Sequence, residues 1–192
     1  MKHYLKSFAA GIAVLALFFS NSAFTPIKTK KINLKESTIS WKGYKVTGEH
    51  YGSINFKEGH LEFSGKTLTG GHFIIDMNSI NTQDLSGDYK NKLDGHLKSD
   101  DFFGVNQHPE AHLKFTNVVS NQNDYTITAD LTIKGKTNPV TFNMEVNASD
   151  AKSKLSIDRT LYNIKYGSAS FFDNLKDRAI SNEFDIEVNI VF

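Results

Sequence analysis

Apolar residues recur at every second position over much of this chain, and that period of two constrains its fold more than any other feature. The last twelve residues, SNEFDIEVNIVF, show it well: Phe184, Ile186, Val188, Ile190 and Phe192 alternate with Glu183, Asp185, Glu187, Asn189 and Val191. Side chains of an extended chain point to opposite faces in turn, so the pattern describes a β-strand with one apolar and one largely polar face. Upstream, Ala111, Leu113, Phe115 and Val119 share a face, as do Tyr125, Ile127, Ala129, Leu131 and Ile133, and Val140, Phe142, Met144 and Val146. Turn-forming residues separate most of these runs, at Thr47-Gly48, Glu58-Gly59, Gly65, 121–124, 135–139 and 147–153. Eight or nine short strands in antiparallel succession imply an all-β barrel or sandwich.

Two stretches break the pattern. Residues 84–109 lack the period of two, and Leu93, Leu97 and the pair Phe102-Phe103 predict a short helix leading into a loop. Residues 167–180 place Phe171, Phe172, Leu175 and Ile180 at roughly helical spacing. Neither reads as a linker, and no repeat or second domain is visible.

Alternation alone does not say which face is inside. It fits a barrel in water with an apolar interior and a membrane barrel with an apolar exterior, because the two differ only in where that face points. Three features favour the first. Many of the apolar runs are shorter than the roughly 9–11 residues a membrane strand needs. The irregular segments carry Phe pairs that need something to cover. Lys45, Glu62 and Arg159 fall in or beside strands with no aromatic girdle framing them.

At the N-terminus, MKHYLK is basic, SFAAGIAVLALFF is uncharged and apolar, and SNSA supplies small residues near Ser22 and Ala23. This is the three-part pattern of a secretory signal peptide over residues 1–23, leaving one domain over 24–192 and predicting a periplasmic or, alternatively, secreted protein. No cysteine follows, so a lipid-anchored lipoprotein is excluded. Losing Lys2 and Lys6 takes the 22 basic residues to 20 against 21 acidic ones, and without a basic excess no nucleic-acid footprint exists. With no disulfide available, burial must hold the fold, and fifteen Phe, seven Tyr and one Trp supply the material.

Few residues suggest chemistry. His50 shares a face with Gly52, Ile54 and Phe56, and Arg159 with Leu155 and Ile157. A polar group on such a face needs a partner. It either meets the polar head of a ligand or is satisfied within the protein, for Arg159 by Asp76 or by reaching water at a rim. His108 and His112 in HPEAH lie four apart, but Pro109 opposes a helix there and a zinc site on a strand is a weak reading, so no metal is expected. GSAS at 167–170 lacks the Gly-x-Ser-x-Gly elbow, and Asp76, Asp158 and residues 99–101 form no defined carboxylate pair. No catalysis and no cofactor are expected.

Several phrases in order, WKGYKVTGEHYGSINF, GGHFIIDMNSI, KLDGHLKSDDFF, HPEAHLKFT, DLTIKGKTNPVTF and IDRTLYNIKYGSASFFDNLKDRAISNEFDIEVNIVF, closely resemble the YceI-like family across residues 32–192. The resemblance implies an eight-stranded antiparallel lipocalin-like barrel with short helical segments and an elongated apolar cavity. It implies binding, transport or storage of a polyisoprenoid, such as a polyprenyl phosphate or an isoprenoid quinone, in the bacterial envelope. It also admits a homodimer and transient membrane contact for ligand exchange. Carried onto this chain, Phe115, Ile127, Phe142, Ile157 and Phe184 would wall the cavity. Phe102, Phe103, Phe171 and Phe172 would lie in the segments beside it, with His50 and Arg159 as candidate polar contacts. An enzyme or metalloprotein acting on a bound lipid, and a membrane-integrated barrel, are the alternatives.

Overall fold

The computed structural model describes residues 25–121 and 124–192; the signal peptide expected over 1–23 lies outside the described residues. Among the described residues nine strands form one antiparallel sheet: β1 (Ile27–Lys31), β2 (Thr38–Lys45), β3 (Gly48–Ser64), β4 (Thr67–Thr82), β5 (Glu110–Asn121), β6 (Asp124–Ile133), β7 (Lys136–Val146), β8 (Asp150–Asp158) and β9 (Ile180–Val191). Neighbours pair in chain order from β2 to β9, and β2 pairs with β9, so eight strands close into a barrel. The ninth, β1, continues the line of β2 and pairs with the far end of β3, Ile27 opposite Ser64 and Lys31 opposite His60. It comes from a lysine-rich segment with no apolar alternation, and that is why the period of two does not reveal it.

Closure answers the question of faces. Leu61, Phe63, Phe73, Ile127, Leu131, Phe142, Met144 and Ile190 are buried inside, whereas Glu183, Asp185 and Glu187 are exposed outside. All five odd positions of β6 from Tyr125 to Ile133 are buried, as alternation requires. On β5 a bulge between Phe115 and Asn117 reverses the faces, so that Val118 packs on the core and Val119 is 47% exposed. Placing Val119 with the inward set is therefore corrected.

Two expected turns are strand. Glu58-Gly59 lies within the long β3, whose register against β4 shifts between Phe56 and Glu58. A side chain at Gly59 would put its Cβ 2.5 Å from the Phe73 ring, so this glycine admits a close aromatic neighbour instead of turning the chain. Residues 135–139 contain only a tight reversal, with Lys134 at φ 49° and Gly135 at φ 69°, after which β7 runs straight through Pro139. Pro139 is tolerated because β7 pairs with β8 only over Asn143–Val146, so no partner on that side needs its missing N–H.

Helix α1 (Gly87–Lys98) forms where it is expected and is tied to β4 by Asp94, which accepts from the Thr82 N–H at 2.8 Å. The loop after it folds back under two bonds of 2.7 Å from Lys134 Nζ to the carbonyls of Asp100 and Phe102, which buries Phe102 and Val105. Residues 167–180 are not the predicted helix. Asn174 and Lys176 adopt positive φ, 60° and 49°, and only a 3₁₀ turn forms, over Lys176–Arg178. Gly167, also at positive φ (64°), breaks the helical path at its start.

Candidate functional site

The barrel interior is filled at one end and hollow toward the other. At the filled end Leu61, Ile127 and Ala129 are wholly buried, and aromatic rings form a chain: Phe56 to Phe73 at 5.7 Å, Phe73 to Phe115 at 5.8 Å and Phe115 to Phe142 at 6.1 Å. Beyond this floor lies an apolar cavity of about 180 Å³. Every strand from β2 to β9 contributes to its wall, with Trp41, Ile54, Met77, Leu113, Leu131, Met144, Leu155 and Ile186 among the lining residues. Leu97 of α1 and Phe102 and Phe103 of the following loop cover one side, the Phe103 ring lying 6.3 Å from that of Phe184.

Of the residues lining the cavity only Ser181 and Glu183 are exposed, and they mark its opening at a bulge in the β2–β9 pairing. Gly43 pairs with Phe184 and Lys45 with Ile180, so β9 has residues 181–183 against one residue of β2. Ser181 and Glu183 there are both exposed and part of the cavity wall, beside Gly43 and Tyr44. The Tyr44 hydroxyl donates to Asp185 Oδ2 at 2.6 Å.

Of the residues singled out in the sequence, Phe102, Phe103, Phe142, Ile157, Arg159 and Phe184 line this cavity. Phe115 and Ile127 belong to the floor beyond it. Phe171 and Phe172 stand 47% and 50% exposed outside it, because the tight turns of their loop leave no inward face. His50 is at the end of β3, with Nδ1 2.7 Å from Asp84 Oδ2. Burial opposes ionisation of Asp84, but the bonds from His50 and the Tyr51 N–H outweigh it and hold the carboxyl below its usual range. Trp41, Tyr44, Met77 and Leu97 line the cavity without having been expected there. Alternation in STISWKGY pointed to Trp41; Leu97 was marked only as a residue of the helix, and its place in the wall depends on where α1 docks.

Among the described residues Arg159 is the one charged group buried in the wall. It is 1% exposed, does not meet Asp76, and gives its donors to three carbonyls: Nε to Ser181 at 2.8 Å, Nη1 to Ile164 at 2.8 Å and Nη2 to Ile180 at 3.0 Å. Burial lowers its pKa from the ordinary arginine value, yet a guanidinium remains charged at any working pH. Its charge therefore staples the loop after β8 to the start of β9. Burial likewise pushes the neighbouring Tyr162 phenol up to about 12, and its hydroxyl has no hydrogen-bond partner.

On the outer face His60, His72 and His112 form a row across β3, β4 and β5, ring centroids 6.1 and 6.2 Å apart. His108 lies in the loop before β5, so it does not join His112. Among the described residues no three His, Asp or Glu gather closely enough to hold a metal. Burial first, then its two imidazole neighbours, lower the His72 pKa. The folded chain thus binds that proton less well than the unfolded chain, whose histidine titrates near about 6.5. Stability from this position is present above that pH and is lost as the pH falls below it. Melting from pH 7 to pH 5 should show a decline that His72→Gln reduces by up to about 2 °C; identical declines in both proteins would refute this.

Residues 31–192 match the model of the YceI-like domain. A UPF0312 protein of Photorhabdus laumondii is 42% identical over 53 residues, 28% of each chain. One from Pectobacterium atrosepticum is 39% identical over 62 residues, 32% of each. These matches span under a third of those relatives' length. Among solved structures, BcnA of Burkholderia cenocepacia superposes with a TM-score of 0.67 at 21% identity, covering 84% of this chain and 99% of BcnA. A polyisoprenoid binding domain from Saccharophagus degradans, implicated in plant cell wall breakdown, gives 0.57 at 15%, covering 83% and 95%. The Campylobacter jejuni YCEI protein gives 0.51 at 18%, covering 100% and 96%. At these identities the likeness is one of fold.

Proposed function

The chain belongs to the YceI-like domain family, and on that premise we propose that its barrel holds a polyisoprenoid or similar long amphiphile, carrying or storing it unchanged in the bacterial envelope. The observation that carries this reading is the cavity: continuous, apolar, walled by all eight barrel strands and open at one end. A long flexible hydrocarbon is held by burial alone, at about 0.8 kcal/mol per methylene, and asks of its site length and dryness more than reactive groups. The polyisoprenoid binding domain of Saccharophagus degradans, which shares the fold, supports the choice of ligand.

Polar groups in the wall are either engaged or at the door. Ser153 donates to the Asn143 carbonyl at 2.7 Å and Arg159 to its three carbonyls, while Tyr44, Ser181 and Glu183 sit at the opening. The tail thus enters first and the head group, phosphate or quinone ring, stays at the mouth. This disposition favours a carrier over an enzyme acting on the lipid, since among the described residues the polar groups of the wall away from the mouth, Ser153 and Arg159, are engaged with carbonyls. The inward apolar faces favour it over a membrane-integrated barrel. The leader pattern of residues 1–23 supports a periplasmic address, which release by osmotic shock would test.

Organic extracts of protein purified from its own host, analysed by mass spectrometry, should contain an isoprenoid lipid at close to one per chain. Extracts without lipid, together with no uptake of added polyprenyl phosphate or quinone, would overturn the reading.

A further inference from the structure

Among the described residues ten large apolar side chains are exposed, and four of them belong to one loop and the turn bonded to it, next in sequence to the cavity residues Ser181 and Glu183. Ile27, Leu34, Tyr51, Tyr89, Val119 and Leu161 lie elsewhere in the chain. In the loop from Asn163 to Ala179, Tyr166, Phe171 and Phe172 are 48%, 47% and 50% exposed. Val46, 65% exposed at the tip of the β2–β3 turn, joins them, its N–H donating to the Ala179 carbonyl at 3.2 Å. A loop whose aromatics served only the core would bury them. This one turns through four positive φ values, at Asn163, Gly167, Asn174 and Lys176, and leaves them in solvent.

The root of the loop is fixed to the mouth. Asn182, between the mouth residues Ser181 and Glu183, accepts from the Ser168 hydroxyl at 2.6 Å and donates to that of Ser170 at 2.8 Å. Phe171 follows directly. Arg159 binds the carbonyls on either side, Ile164 before the loop tip and Ile180 and Ser181 after it. The His96 ring, at the end of α1, packs against Tyr166 at 4.4 Å. Rigid at its base and apolar at its tip, the loop projects beside the door through which a ligand must pass.

Basic residues share the segment with these aromatics. Lys165, Lys176 and Arg178 lie in the loop and Lys45 ends β2 beside the turn, against Asp173 and Asp177 in the loop and Glu183 and Asp185 at the mouth, the last bonded to Tyr44. Lys165 Nζ stands 4.8 Å from the Phe171 ring centroid. Aromatic rings with basic neighbours suit the interface of an anionic bilayer, where the rings enter the headgroup region and the cations meet phosphates. We propose that the 163–179 loop, with Val46, docks the mouth of the barrel on an anionic membrane surface. The proposal rests on the lipid-holding reading and adds the partner: a bilayer face, from which an oily chain reaches the cavity without crossing water.

The test is flotation of the mature chain with vesicles of phosphatidylethanolamine and phosphatidylglycerol, and separately of phosphatidylcholine alone. The wild type should float with the anionic vesicles, and F171S/F172S should bind them about tenfold less, as should K165E/R178E. Transfer of a fluorescent polyprenyl probe from vesicle to protein should slow in step, while equilibrium binding of the probe from detergent stays at wild-type level. Because both phenylalanines are exposed, unchanged melting temperatures are expected. Wild-type protein that does not float, or F171S/F172S that floats as well as wild type, would overturn docking. Failure of the wild type to take the probe from detergent would instead overturn the lipid-holding reading, and flotation would still decide docking.

Discussion

Ala111→Phe should lose isoprenoid binding by at least about a hundredfold while the barrel stays folded. Ala111 is a small, 5% exposed residue of the cavity wall on β5, directly opposite Ile75 of β4. A benzyl group there enters the passage and keeps a chain from the part of the cavity nearer the floor. Excluding four or five methylenes removes about 3–4 kcal/mol of binding, more than a hundredfold in affinity. Overpacking costs about 1–3 kcal/mol of stability, so thermal melting must accompany the titration. Val119→Phe, on the outer face of the same strand, is the control and should bind as wild type. A folded Ala111→Phe protein with wild-type affinity for a polyprenyl ligand would show that the chain does not lie in this cavity.

Arg159→Met should destabilise the fold by about 3–5 kcal/mol, roughly 10 °C in melting temperature. Three charge-assisted bonds disappear, and the carbonyl of the wholly buried Ile164 loses the donor given to it by Arg159. Arg159→Lys should recover little, because an ammonium cannot span three acceptors set out for a planar fork. Chemical denaturation of both variants checks this; a Met variant within about 1 kcal/mol of wild type would end the staple assignment. Binding tells the two roles of this arginine apart. A staple lost weakens neutral and anionic ligands alike, whereas a head-group anchor lost would weaken the anionic ones alone.

How far these sites can be read from the chain depends on the length scale of the cause. Alternation is local, so β6 to β9 were legible, and with them Phe142, Ile157 and Phe184 as cavity wall. Bulges depend on how two strands meet, so the reversal that turns Val119 outward left no local mark. Glu58-Gly59 carries a turn signature, but the Phe73 ring, distant in sequence, occupies the space the glycine leaves. The Phe pairs look alike in sequence. Phe102 and Phe103 reach the cavity because α1 and Lys134 fold their loop inward, and Phe171 and Phe172 do not because positive φ values turn theirs out. For His50 and Arg159, alternation showed that each needed a partner and could not say which. Asp84 lies 34 residues from His50, and the carbonyls that bind Arg159 are reached only when β9 returns to the mouth.

The floor formed by Phe73, Phe115 and Phe142 has a kinetic consequence. A tunnel blind at one end has a single door, so a ligand leaves by reversing the path it took in. If withdrawal into water limits escape, each methylene seated lengthens the residence time by about fourfold, from its 0.8 kcal/mol. That gain stops when the tail touches the aromatic floor, and any longer chain merely trails outside. The barrel would then act as a timer with a ceiling, slow to release chains up to its own depth and indifferent to length beyond it.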